Sequence, residues 1–520
     1  MERAEISNLL GKYPQYQEVL FMRGFLITND RNIKKDGYPF YENWGEYCFS
    51  TYRVLVHKRL KCFINENVCL IGHAYNPFQD EIDENKIVEK IVKQNTFREK
   101  LDYIDELTGI FTIAIVEKGA LHLIGDCSGM QSCYYGVVKG KVYISTHTQL
   151  IGDICSLFEN DYTKKMKAYK HWKKYGLFLP GDITQFDEIK RLVPNTYVFF
   201  ENNEWKIKRF YPTKAIAMVG EENYENRIEE IAVVMKNTMR LIGEKWKNPA
   251  ISMTGGMDSK GTVAAANGNY DKFTYYSYVS MDGDKIDADA AHKIAEVIGV
   301  THNIYEISRE DSDFEDIDVL RAIFEHNYGE LGKLNDNDVR KRCYFLNTDK
   351  FDVEIKSWVS EVARANYYKK FGKKKMPQKL SNRQMSSMYK FFTTDRKLLR
   401  RTDRIFGEYK EKVDFENIFN IDASDMYLWE FRYGSWGGNV ITTNHRISYD
   451  ITIPYNNRKL LELFLSTPLK YRIEDKPHFD VIKMMEPKID ELGITITNWN
   501  ETKKRMYLEK LYFNLNSLLP

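Results

Sequence analysis

Ile251-Ser252-Met253-Thr254-Gly255-Gly256-Met257-Asp258-Ser259 is the stretch whose reading decides the fold. A short buried strand, Ala250–Met253, runs into paired glycines and then opens a small-residue helix, Gly261–Ala266. Glycines turn the backbone tightly and leave N–H groups bare. A helix N-terminus adds partial positive charge, so such a loop can cradle phosphate. Lys260-Gly261-Thr262 imitates the end of a P-loop, but the four-residue gap after a first glycine is missing. A plain strand-to-helix turn with Asp258 as N-cap would account for a glycine pair alone. Strand, hydroxyl residue, Gly-Gly, Asp-Ser and helix in that order, at the opening of a parallel sheet, point instead to nucleotide binding.

Outward from the loop the pattern is regular. Glu222–Glu244 has helical periodicity, Lys272–Val279 reads as a second strand, Asp287–Ile298 as a second helix and His302–Ile307 as a third strand. This alternation predicts a parallel α/β sheet. The remainder to Pro520 reads as mainly helical. Before Pro212 the chain is β-rich: Val19–Thr28, Val68–Gly72, Gly109–Glu117, Leu121–Gly125, Ser132–Val138, Lys141–Thr146, Asn195–Glu201 and Lys206–Tyr211 are short apolar or alternating runs between turn signals. Asp83–Asn95 and Tyr162–Tyr175 read as helices among them. The expectation is an α+β domain over 1–212 and an α/β domain with a helical tail over 213–520.

Composition excludes several classes. Of 520 residues, 43% are hydrophobic and 29% charged, which rules out disorder, collagen and coiled-coil arrays. Lys+Arg 76 against Asp+Glu 74 leaves a net charge of +2, so no global field draws the chain onto nucleic acid. The 35 tyrosines argue for a large core and for pockets. No apolar run approaches the ~20 residues of a membrane helix. Met1-Glu2-Arg3-Ala4-Glu5 has acids where a signal peptide is basic. Seven cysteines without a CxxC pair suggest reduced thiols and a cytoplasmic protein. Cys48, Cys62, Cys69, Cys127 and Cys133 are expected to be small buried hydrophobes.

The loop Thr254-Gly255-Gly256-Met257-Asp258-Ser259 resembles the Ser-Gly-Gly-x-Asp-Ser pyrophosphate loop of the asparagine synthetase and β-lactam synthetase family. Asp287, Ala290, Ala291, Ala295, Gly299 and His302 are similar to that family's second helix and its turn into the next strand. Ile453-Pro454-Tyr455-Asn456-Asn457-Arg458, to Pro468, resembles a later family segment. In the first half, Glu106–Phe111, Asp126 to Gly129 and Tyr134-Tyr135-Gly136 look like the family's amidotransferase-type domain, an Ntn-type αββα sandwich. The resemblance implies ATP with its phosphates on Ser252 and Thr254–Ser259 and its adenine near Val279-Ser280. It implies a carboxylate attacking the α-phosphate to give an acyl-adenylate, then an amine or ammonia displacing AMP. It also implies Mg2+ held by Asp258 and, by alignment of Lys356–Glu361 with the family's second acidic motif, by Glu361.

Three departures bear on function. Family glutaminases use cysteine as the first mature residue, whereas here Glu2 follows Met1 and the first cysteine is Cys48; the first domain is expected to be glutaminase-dead. Trp358 stands where the family has Tyr or Glu, and an indole is no base; Glu430 and Glu361 are the replacements considered. The family's C-terminal lysine has Lys476, Lys483, Lys503 and Lys504 as candidates. A basic stretch, Lys369 to Arg404, with Tyr367, Tyr368, Tyr389, Phe391 and Phe392 nearby, keeps a pyrophosphate-loop RNA modifier as a rival. A degenerate synthetase kept as a binding protein is the third reading. The substrate expected is a small-molecule, peptide or sugar-acid carboxylate plus an amine or ammonia. No membrane partner is expected, nucleic acid is disfavoured, and a homodimer stays open.

Overall fold

The apolar runs before residue 212 pair into two antiparallel sheets of six strands each. The computed structural model describes residues 2–331, 334–373, 375–391, 393–494 and 503–516, the side chains at 173, 175, 331, 503 and 516 apart. The first sheet runs Ile189–Arg191, Tyr134–Val138, Lys141–Ser145, Phe25–Thr28, Tyr52–His57, Trp44–Phe49. The second runs Glu204–Arg209, Thr196–Glu201, Ala120–Gly125, Thr108–Glu117, Val68–Tyr75, Cys62–Asn65. Alternation fixes the layers. Phe25 and Ile27 face Cys69, Ile71 and Leu123 between the sheets. Leu26 and Leu55 face the other way, onto Ile6, Leu150 and Phe324 of three covering helices. Helices Glu84–Val92 and Phe97–Ile104 cover the outer face of the second sheet through Ile87, Ile91 and Leu101. The order of layers is helix, sheet, sheet, helix.

The third sheet is wholly parallel, in the order His302–Glu306, Thr274–Val279, Pro249–Ser252, Val353–Ile355, Asp450–Thr452. The strand that comes first in sequence is central. The next two lie on one side of it and the last two on the other. The chain therefore reverses direction between Pro249–Ser252 and Val353–Ile355, and open α/β sheets bind ligands at the carboxyl ends beside such a reversal.

Several predicted elements differ. Val19–Thr28 is not one strand: Pro14–Val19 is a 3-10 turn, and Phe21 (φ 49°) and Arg23 (φ 54°) are left-handed, so only Phe25–Thr28 pairs. The helix Arg3–Lys12 and the strands Trp44–Phe49 and Tyr52–His57 carry weak apolar periodicity and were not predicted. Tyr162–Tyr175 breaks into Asp161–Lys167 and Trp172–Tyr175. The loop helix starts earlier than predicted, at Met257. Cys69, Cys127 and Cys133 are buried as expected, but Cys62 is only half-buried and Cys48 is exposed, both on edge strands.

A buried polar seam joins the antiparallel layers to the parallel one. Asn456 donates to the Gly109 carbonyl at 2.7 Å and to Asp126 at 2.9 Å, and accepts from the Ser128 amide at 3.0 Å. Asn457 donates to the Glu106 carbonyl at 2.8 Å, and Arg458 pairs with Asp105 at 2.6 Å. Gly438 lies so close to Gly129 that a Cβ would stand 1.9 Å from its carbonyl oxygen.

Candidate functional site at the sheet reversal

Thr254–Ser259 leaves the carboxyl end of the central strand at the reversal. The helix it opens, Met257–Ala265, has Gly256 as its N-cap with no side-chain cap. First-turn amides have no intrahelical acceptor, so donors converge here without a protein side chain to meet them. The loop is braced from within: the Thr254 amide donates to Ser259 Oγ at 2.9 Å and the Gly256 amide to Thr254 Oγ1 at 3.2 Å. Gly261 is required by Tyr455, whose hydroxyl oxygen would be 2.3 Å from an added Cβ. Lys260 points away, to the Ile494 carbonyl at 2.6 Å, which separates this loop from a P-loop in structure as well as in spacing.

Across the reversal, the segment after Val353–Ile355 folds onto the loop. Ser360 donates to Asp258 Oδ1. Arg364 Nη1 meets both Asp258 oxygens, at 3.0 and 3.2 Å, while its Nε and Nη2 hold Asp475 at 2.8 and 3.1 Å. Lys369 adds a bond to Asp475 at 2.7 Å. Burial opposes ionisation of Asp475, but Arg364 and Lys369 hold its carboxyl below the usual range. Glu361 lies close enough to Asp258 to feel it: burial first, then the Asp258 charge, push the Glu361 carboxyl upward, and Tyr433 donates its hydroxyl to it. Val359 (φ 83°) and Ala365 (φ 47°) bracket this segment in the left-handed region. For a β-branched valine that conformation is strained, and such strain persists only where surroundings over-determine it.

The structure thus brings Ser252, Thr254, Gly255, Gly256, Met257, Asp258, Ser259 and Glu361 to one place. Val279 and Ser280 lie at the carboxyl end of the neighbouring strand. Ser280 is buried, with its hydroxyl on Asp284 at 2.7 Å and accepting from Asn337 at 3.0 Å. Glu430 is a correction. It is not a base at the loop: both its oxygens are held by Arg209, at 2.6 and 2.9 Å, and Asn195 donates to it at 3.1 Å, in the seam between the layers. Lys476 is engaged by Asp480 and lies between the rings of Tyr224 and Tyr471, at 4.8 and 5.5 Å. Lys504 is exposed on the helix Lys503–Asn516, and the Lys503 side chain lies outside the described residues. Trp358 stacks on Trp436 with ring centroids 5.5 Å apart, 5.3 Å from the Lys356 ammonium.

Sequence reasoning missed Ser360, Arg364, Tyr433 and Asp475. Arg364 had a signal, since it follows the aligned acid by three residues; Asp475 and Tyr433 had none, because only folding brings them near. Four cations of the basic stretch are paired with acids. Lys369 pairs with Asp475, Lys370 with Glu509, Lys379 with Glu416 and Arg383 with Asp403. Tyr367, Tyr368, Tyr389 and Phe391 are buried, so they offer no stacking platform for bases; Phe392 lies outside the described residues.

The expected magnesium ligands, Asp258 and Glu361, already have partners in this geometry. Magnesium is usually held by one or two carboxylates together with substrate phosphates, and those carboxylates need free oxygens. Asp258 already holds a guanidinium, Glu361 accepts from Tyr433, and among the described residues no group of three His, Cys, Asp or Glu is placed to hold a metal ion. The donor set does not fit a preformed magnesium site.

No protein-family model and no curated protein matches the chain. Among solved structures, a glutamine phosphoribosylpyrophosphate amidotransferase from B. subtilis, complexed with ADP and GMP, aligns at 9% identity, over 69% of this chain and 74% of its own, with a TM-score of 0.21. A second structure, described as the allosteric regulatory enzyme of purine biosynthesis, aligns at 8% identity, over 64% and 90%, with a TM-score of 0.24. At such scores neither likeness informs the chemistry. Among the described residues no helix is long and apolar enough to cross a membrane.

Proposed function

We propose that this protein is an ATP-dependent amide synthetase that adenylates a carboxylate, releases pyrophosphate and passes the acyl group to an amine or ammonia. The observation that carries the reading is the uncapped Gly-Gly loop at the carboxyl end of the central parallel strand, with the Ser360–Arg364 segment folded onto it across the sheet reversal. Amides of Gly255, Met257, Asp258 and Ser259 would bind the phosphates, and Val279-Ser280 would border the adenine. The acyl carboxylate oxygen attacks the α-phosphorus, the P–O bond to pyrophosphate breaks, and the loop's donors and Arg364 meet the departing charge. The amine then attacks the acyl carbon, the C–O bond breaks so that AMP leaves with the mixed-anhydride oxygen, and the proton lost from nitrogen passes to water.

The nitrogen comes from an amine substrate or free ammonia. Glutaminases of the resembled family need a free amine on a catalytic cysteine. Here Ile6, Leu10, Leu20, Phe21 and Met22 anchor the segment before Phe25 in the core, and Cys48 sits inside a strand opposite Arg53. That supports a first domain serving as scaffold. The test is ATP–pyrophosphate exchange over a panel of small acids, peptides and sugar acids. Exchange with one of these classes supports the reading. Exchange only with tRNA would favour the RNA-modifying rival, and none with any substrate a binding protein.

A further inference from the structure

The proposed reaction needs a positive group where the phosphates sit, and the acids expected to supply it through a metal are otherwise engaged. Three carboxylates, Asp258, Glu361 and Asp475, meet two cations, Arg364 and Lys369, behind the loop. Arg364 is the centre of that arrangement. Its side chain is only 18% exposed, and it bridges an acid of the loop helix to Asp475, the residue before the helix Lys476–Met485. A guanidinium has five donors. Four contacts go to the two carboxylates, which leaves a donor over. Its planar fork suits phosphate as well as carboxylate, where a lysine would offer only a point charge. The strained turns at Val359 and Ala365 fix the segment that carries it, so its place on Asp258 is built in rather than incidental.

We propose that Arg364 is the resident cation of this site: it binds the pyrophosphate end of the nucleotide directly, in place of a carboxylate-held metal ion. This rests on the nucleotide reading above and names the residue that meets the phosphates. Asp258 and Asp475 act as its holders. Asp258 sets its position beside the loop, and Asp475 competes with phosphate for its Nε and Nη2 face. Arg364 is thus a binding residue whose strength is set by a rival carboxylate, a relation that a purely structural ion pair would not show.

Titration of inorganic pyrophosphate and of ATP into the full chain by calorimetry, in EDTA and in magnesium, tests this. The wild type is expected to bind pyrophosphate in EDTA within about threefold of its affinity in magnesium. Arg364→Met is expected to weaken binding in EDTA at least tenfold, and Arg364→Lys to restore part of it. Asp475→Asn, which releases the fork, is expected to bind pyrophosphate more tightly than the wild type; this variant keeps the test decisive if Arg364→Met fails to fold. Pyrophosphate binding that appears only with magnesium, an unaffected Arg364→Met, or weaker binding by a folded Asp475→Asn overturns the proposal. If neither ligand binds in either buffer, the nucleotide reading itself falls and this proposal with it.

Discussion

Glu430 is a buried and Glu361 a half-buried acid of the parallel-sheet half, and one π-helical segment, Tyr427–Gly437, serves both. On one side it carries Glu430 to Arg209 of the antiparallel half, a bidentate pair whose side chains are 3% and 0% exposed. On the other it sends Tyr433 to Glu361 beside the loop. Around Glu430 the carboxylate is fully matched by a cation and an amide. Around Glu361 the largest influences, burial and then the Asp258 carboxylate, push its pKa up, against the smaller opposing effects of Arg364 and the Tyr433 hydroxyl. A matched acid holds layers together. An acid kept near a second acid is costly, and that cost is more often met at a site that handles charge. π-Helical turns are frequent at functional sites, and here one segment ties the seam to the site.

Substitutions that separate seam from site put this contrast at risk. The largest effect is expected for Asp258→Ala. Removing the anchor of Ser360 and Arg364 should lower ATP–pyrophosphate exchange at least about a hundredfold, with the denaturation midpoint little changed. Glu430→Gln should do the reverse. It leaves the buried Arg209 without its charge and should cost roughly 3–5 kcal/mol of stability, measured by urea unfolding, while exchange per folded molecule is retained. If Glu430→Gln abolishes exchange without loss of stability, the acid belongs to the site after all. Gly438→Ala forces a Cβ onto the Gly129 carbonyl and should cost roughly 1–3 kcal/mol by overpacking the seam.

A smaller effect, with a pH signature, is expected at Lys341. Burial, then the neighbouring Arg342 and Lys356, lower its pKa to about 7, and its ammonium lies 3.6 Å from the Tyr278 ring centroid. Asp338 and Glu354 are the acids that oppose this shift. The unfolded chain holds that proton up to the ordinary lysine value of ~10.4. The cost of burying the charge is therefore full below about pH 7 and fades as pH rises toward 10.4. Lys341→Met should stabilise the fold by roughly 1 kcal/mol or more at pH 7, with the advantage shrinking at higher pH in unfolding titrations. The smallest effect is expected for Cys48→Ser: no change in exchange, and no glutamate released from glutamine by either protein. Glutamate release by the wild type that Cys48→Ser abolishes would refute the scaffold role.

Three of the five parallel strands, those at Pro249–Ser252, Thr274–Val279 and His302–Glu306, were legible as short runs bounded by turn chemistry, and the loop because glycines and hydroxyls sit at fixed offsets; Val353–Ile355 and Asp450–Thr452, three residues each, were lost in a stretch that reads as mainly helical. The resembled motifs Glu106–Phe111, Asp126–Gly129 and Tyr455–Arg458 were legible as words but not as a contact; folding brings Asn456 onto Gly109 and Asp126. Glu430 misled because an acid in an aromatic, glycine-rich stretch reads alike whether it faces a ligand or an arginine more than two hundred residues away in sequence. Arg364 and Asp475 were invisible for the same reason, their meeting spanning more than a hundred residues. Left-handed Val359 was also hidden, since nothing in a valine announces a positive φ.

Hydrogen exchange of the full chain with and without ATP tests the central claim most directly. The account predicts slowed amide exchange at 254–259, at Val279-Ser280 and across the Ser360–Arg364 segment, with the seam around Glu430 unchanged. Protection confined to other segments, or none at all at saturating ATP, would contradict it.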